Sequence, residues 1–184
     1  MSGSWRTCLD AVLASLGPQS GVQVLVGHSG AGLLLPVIAA GMDRGPDTLV
    51  FVDSVLPPPR GNATTSHEFL AFLGTIERDG RLPRWSEWFG PGVMESLVPD
   101  ASTRRAIVDE MPELPVSYYL EQHIPMPHGW GEVECTYVCL SEAYRTYADS
   151  ATERGWTVID APGTHLDIVT RPADMAEILV GLSG

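Results

Sequence analysis

Apolar positions along the chain fall into two kinds of pattern. Leu9, Val12, Leu13 and Leu16 recur at helical spacing within residues 4–16, and Gly17-Pro18 closes that stretch, which predicts an amphipathic helix. Residues 22–26 (VQVLV) are almost continuously apolar, the pattern of a short strand buried on both faces. Residues 30–40 are apolar nearly all round and predict a buried helix, with a kink where Pro36 removes a backbone bond. Gly45-Pro46-Asp47 reads as a turn, and TLVFVDS (48–54) as a second buried strand. The same alternation resumes late in the chain. Residues 135–140 and 156–161 predict strands, 142–155 and 172–182 helices, and GTHLDIV (163–169) a turn. Pro172 falls at or near the first turn of the last helix, where its missing N–H costs nothing. Strand–helix alternation of this kind predicts an α/β fold with a parallel sheet.

The middle of the chain breaks the pattern. Residues 57–132 hold ten of the fifteen prolines and three of the five tryptophans. Residues 67–80 and 101–111 can form helices, whereas 82–99 and 114–130 are aromatic and punctuated by proline. Such a segment is too long for a plain loop. It predicts a lid or cap, 57–132, inserted into a core made of 1–56 and 133–184.

Composition narrows the function classes. A chain of 184 residues that is 44% hydrophobic suggests one globular domain with one substantial core. Its net charge of −12 argues against nucleic acid and anionic membrane surfaces as partners, since both select basic patches. Cys8, Cys135 and Cys139 lack metal-type spacing; Cys135 and Cys139, four apart on a predicted strand, share one face and read as small core residues. Arg6 and Asp10 interrupt any signal-peptide pattern, and no apolar run reaches spanning length, so a cytoplasmic protein is expected.

The candidate chemistry lies where the first strand meets the first buried helix, in GHSGAG (27–32). A Ser on such a turn is lifted clear of the sheet, and Gly27 and Gly30 are expected to relieve clashes with neighbouring segments. The helix beginning there aims free N–H groups and its positive end at the same point, where an oxyanion would be stabilised. Serine is a poor nucleophile without a base. His165, directly after the last predicted strand, is in the place to be one. Each signal alone fits a bland reading, a tight turn with a surface Ser and an ordinary loop His. Their shared context favours the chemical one.

From its nucleophile strand to its C-terminus the chain resembles the α/β-hydrolase superfamily. GHSGAG resembles the nucleophile elbow, 57–132 the cap insertion, and WTVIDAPGTHLDIVTRPADMAEIL (156–179) the final strand, histidine loop and helix of esterase- and acyl-transfer-type members. The resemblance implies Ser29 as nucleophile, His165 as base and the Gly30 N–H as one oxyanion donor, with no cofactor. It places the acid after the strand that follows the cap, which makes Glu142 the first choice. A minority of members place it after the strand following the nucleophile, which gives Asp53; Asp167 trails because it is so near His165. A helix N-terminal acid and a strand-end cap are the plain alternatives for Glu142 and Asp53.

Family members usually carry several strands before the nucleophile strand, and a loop after one of them supplies the second oxyanion donor. Here a single predicted helix precedes residue 22, so a reduced α/β-hydrolase sheet is expected, with residues 57–62 the first place to seek a replacement donor. An uncovered edge at strand 22–26 leads to an expected homodimer. His28 is expected to pack or line the site. His67, His123 and His128 share no ligand spacing, and no metal site is expected. Trp85, Trp88, Phe89, Tyr118, Tyr119 and Trp130 suit a lid's own core, with Trp85, Trp88 and Tyr118 the candidates to line a substrate pocket. Two function classes follow. One is a serine hydrolase or acyl transferase for an ester, thioester or lactone of a small, fairly apolar molecule. The other is a non-hydrolytic cyclase, lyase or binding module using the same pocket.

Overall fold

The computed structural model describes residues 4–182 except Gln19. In chain order its elements begin with helix α1 (Trp5–Ser15), strand β1 (Val24–His28), a 3-10 turn (Ser29–Leu34), helix α2 (Leu35–Gly41) and strand β2 (Thr48–Val52). The next segment holds β3 (Asn62–Thr64), α3 (His67–Ile76), β4 (Arg81–Leu82), α4 (Val93–Leu97), α5 (Ala101–Glu110), β5 (Leu114–Pro115), α6 (Ser117–Leu120) and β6 (His123–Pro125). The chain closes with β7 (Glu134–Cys139), α7 (Arg145–Glu153), β8 (Thr157–Asp160), α8 (Asp167–Thr170) and α9 (Pro172–Gly181).

β1, β2, β7 and β8 form one sheet in that order, every pair parallel. This is the expected parallel α/β arrangement. All four strands therefore end on the same edge, where loops from neighbouring strands meet. β2 is buried along its whole length, as its unbroken apolar run requires. Leu49, Phe51, Cys135, Tyr137 and Cys139 pack on one face with Leu35 and Trp130. Val50, Val52, Val138 and Leu140 pack on the other with Met175 of α9. The two cysteines thus share a face, as strand periodicity demands.

Four local expectations are corrected. The helix expected over 30–40 starts as a 3-10 turn, and α2 proper begins at Leu35. Pro36 therefore lies in the first turn of α2, where it kinks nothing. The first strand runs two residues later than 22–26, because Gly27 and His28 pair with Phe51 and Val52 while Val22 is left 61% exposed. The turn expected over 163–169 includes the short helix α8.

Between β2 and β7 no strand joins the central sheet; β3 pairs with β6 and β4 with β5, both antiparallel. The segment has an apolar cluster of its own, Leu73, Leu82 and Trp88 with Phe69, Phe72 and Tyr119 around them. Apolar contacts fasten it to the core. Ala63 and Ile124 pack with Trp5, Leu34, Val37 and Ile38, and Met94 and Val98 pack with Leu166, the neighbour of His165.

Candidate active site

Ser29 follows β1 with φ 57°, a left-handed conformation that a β-carbon disfavours and that only a well-braced turn sustains. Two glycines brace it. A β-carbon on Gly27 would meet the Leu35 side chain at 2.9 Å, and one on Gly32 would overlap Ser54 Oγ at 1.9 Å and the Val55 carbonyl oxygen at 2.7 Å. Gly30 has open space around its β position, contrary to the expected clash relief there. The glycine that lets the elbow lie against the end of β2 is Gly32. There the Ser54 hydroxyl donates to the Ser29 carbonyl at 2.6 Å.

His165, in the loop after β8, reaches back across the sheet edge. Its Nε2 lies 3.1 Å from Ser29 Oγ and its Nδ1 lies 2.8 Å from Asp53 Oδ2. Asp53 is fully buried and accepts three further hydrogen bonds: from Leu140 N–H and Ser141 N–H at 2.9 Å, and from the Ser141 hydroxyl at 2.6 Å. Burial pushes the Asp53 carboxyl up, but the hydrogen bonds from His165, Ser141 and Leu140 outweigh it and hold the group below its ordinary value. Asp53 is therefore a carboxylate, so His165 Nδ1 carries the proton and Nε2 is free to accept from the Ser29 hydroxyl.

The acid facing the histidine is thus Asp53 and not Glu142. The Glu142 side chain is 91% exposed and lies 4.0 Å from Arg145. Ser141 is extended (φ −119°, ψ 152°) and turns its hydroxyl inward to Asp53, so the next side chain points outward. Asp167 braces the loop instead. It accepts from Thr164 N–H and hydroxyl at 2.9 and 3.0 Å and from the Thr170 hydroxyl at 2.7 Å.

Rings enclose the imidazole. Tyr144 stacks on it with centroids 4.7 Å apart and planes within 1°, His28 lies at 4.4 Å, and Trp85 of the middle segment at 6.1 Å. His28 Nε2 donates to the His165 carbonyl at 2.8 Å. Burial, aided by His165, pushes the His28 imidazole down to about 4, so it is neutral at pH 7. Of the expected pocket residues, His28, Gly30 and Trp85 fall beside Ser29 or His165. Trp88 and Tyr118 do not. Trp88 is a core residue of the middle segment and donates to the Pro83 carbonyl at 2.9 Å. Tyr118 packs edge-on against Tyr119, and burial, reinforced by Cys8, pushes its hydroxyl up to about 12. A cavity of about 610 Å³, lined in part by Glu87, Met94, Arg104 and Arg105, is lined by none of Ser29, Asp53 and His165.

Two site residues escape the sequence reading, Ser141 and Tyr144. The Tyr144 hydroxyl lies 3.3 Å from Ser29 Oγ. Their only sequence signal is position in the loop where the acid was sought.

The sequence matches the alpha/beta hydrolase family over residues 2–178. The chain belongs to that family. Solved structures resemble this alpha/beta hydrolase closely in fold. An extracellular alpha/beta-hydrolase from a Paenibacillus species, described as sharing structural and functional homology with tobacco salicylic acid binding protein 2, superposes with a TM-score of 0.72 at 15% identity, covering 98% of this chain and 80% of that one. Polyneuridine aldehyde esterase gives 0.69 at 14% identity, covering 98% and 80%. Tomato methylketone synthase I, complexed with 2-tridecanone, gives 0.67 at 16% identity, covering 95% and 75%. At these identities the likeness carries the fold alone. No curated protein matches this alpha/beta hydrolase by sequence. Among its described residues no helix is long and apolar enough to cross a membrane.

Proposed function

We propose that the protein is a serine hydrolase or acyl transferase acting on an ester, thioester or lactone of a small, fairly apolar molecule. One observation carries the reading: an unbroken hydrogen-bonded line from Ser29 through His165 to a buried, ionised Asp53. In this reading Ser29 Oγ attacks the substrate carbonyl carbon. His165 Nε2 takes the hydroxyl proton as the carbonyl π pair moves onto oxygen. The Gly30 N–H, in the first turn after the elbow, donates to that oxyanion. The oxyanion pair returns, the bond to the leaving oxygen or sulfur breaks, and His165 hands over the proton. Water, or an acceptor hydroxyl, then frees the acyl group from Ser29 by the same steps in reverse. Asp53 keeps Nδ1 protonated and stabilises the imidazolium, and stays ionised because Ser141 and two backbone N–H groups hold it so.

Two fold relatives support the reading by name, the polyneuridine aldehyde esterase and a methylesterase from Arabidopsis. In the same proposal, residues 57–132 act as a cap that brings Trp85 over the histidine, and the open edge of β1 pairs with a second copy. In a second reading the pocket and His165 serve a reaction without an acyl-serine; one fold neighbour is by name a synthase and not an esterase. Turnover of p-nitrophenyl acetate and of short alkyl thioesters separates the two. Activity that vanishes in Ser29→Ala is the expected result; activity that survives it moves the chain to the second reading.

A further inference from the structure

The resemblance assigns one oxyanion donor, the Gly30 N–H, and no second. The first half of residues 57–62 has no backbone donor to supply it. Pro57, Pro58 and Pro59 have no N–H to give. The Pro57 and Pro58 carbonyls accept from Arg154 at 2.8 Å and from the Trp130 indole at 3.2 Å, which ties this stretch to the core.

Another group does stand at the nucleophile. Tyr144 ends the 3-10 turn Glu142–Tyr144, its N–H donating to the Ser141 carbonyl at 3.1 Å. Arg145, next along, is anchored to Asp160 at the end of β8. The turn whose Ser141 clamps the acid therefore also fixes the ring that lies flat on His165. Its hydroxyl is 3.3 Å from Ser29 Oγ. The direction of that bond follows from the rest of the line. Asp53 holds the proton on Nδ1, so the Ser29 hydroxyl donates to Nε2 and the remaining lone pairs of Oγ accept. Tyr144 is then the donor.

We propose that Tyr144 is a catalytic residue whose hydroxyl is the second donor to the oxyanion formed at Ser29. The inference rests on the acyl-Ser29 reading. When Oγ bonds to the carbonyl carbon it becomes an ether-like oxygen and a poor acceptor. The former carbonyl oxygen, on the same carbon, becomes an anion. A donor already within hydrogen-bond reach of Oγ needs only a small hydroxyl rotation to meet it. The bond then gains charge assistance that the resting state lacks, so it favours the transition state over the ground state. Tyr144 keeps its proton throughout: burial pushes its hydroxyl up despite the bond to Ser29. The stacked ring also presents a π face to the imidazolium that forms on His165 in the same step.

The test is Tyr144→Phe, assayed beside Ser29→Ala on p-nitrophenyl acetate and on the matching thionoester, whose sulfur accepts hydrogen bonds weakly. Phe keeps the ring on His165, and a melting curve checks that the fold is intact. The expected result is kcat lower by about 10²–10³-fold, the range for one lost oxyanion donor. KM should change little, and the preference for the oxygen ester over the thionoester should shrink. A kcat for Tyr144→Phe within about threefold of the parent, an effect on KM alone, or an unchanged preference for the oxygen ester over the thionoester would each overturn the assignment. Full activity in Ser29→Ala would instead sink the reading beneath it.

Discussion

The chain leaving β2 and the chain leaving β7 each offer an acid to the histidine, Asp53 and Glu142, and the two have opposite fates. Asp53 adopts φ 41° and lays its carboxylate across the end of β7, out of solvent, against three donors and the histidine. Glu142 lies at the start of a 3-10 turn, almost wholly in water, beside Arg145. The loop after β7 has not lost its part in the site. It contributes hydrogen-bond donors in place of an acid, from Leu140 and Ser141. Asp53 faces the histidine as an anion because the neighbouring loop solvates it with donors of its own.

The sharpest break in this comparison is Asp53→Asn. With the wrong tautomer favoured on His165, kcat should fall by roughly 10⁴-fold while the fold survives, in an ester assay paired with a melting curve. Acid titration gives the next largest effect. His28 is held neutral in the folded chain at about 4 against 6.5 unfolded, so the unfolded state binds the extra proton between those values. Stability should therefore drop as pH falls from 6.5 to about 4, by roughly 3 kcal/mol, and the drop should vanish in His28→Gln. The Asp53 contribution has its own window. It is fully present above 3.8 and lost as pH falls through the lower folded value, and Asp53→Asn should remove only that part. Ser141→Ala deletes one charge-assisted bond to Asp53 and should lower kcat by about 10- to 150-fold, in line with the roughly 1.5–3 kcal/mol such bonds carry. Glu142→Gln should change kcat by less than about twofold, as befits an exposed ion pair. A loss in Glu142→Gln that matched Asp53→Asn would invert the comparison.

The sheet was legible because buried parallel strands are short unbroken apolar runs, and 48–54 and 135–140 announce themselves that way. Their ends were not, since no polar alternation marks where a doubly buried strand stops. Ser29 and His165 were legible from local context, a Ser on a strand–helix turn and a His after the last strand. The choice between Asp53 and Glu142 was not, because it depends on which way Ser141 faces, a tertiary matter. Gly32 escaped for the same reason: what it makes room for is Ser54, 22 residues on. In the middle segment, aromatic content foretold packing without saying which ring faces the site. Trp85 reaches the histidine, while Trp88, three residues later, fills the segment's own cluster.

The central claim is that Ser29 is the nucleophile activated by His165 and Asp53. A fluorophosphonate reacts with such a serine and leaves a stable adduct, so peptide mapping by mass spectrometry reads the claim directly. The account predicts one adduct, on the peptide carrying Ser29, formed at an undiminished rate in Glu142→Gln and far more slowly in Asp53→Asn. No adduct, an adduct on another residue, or labelling that survives Ser29→Ala would contradict it.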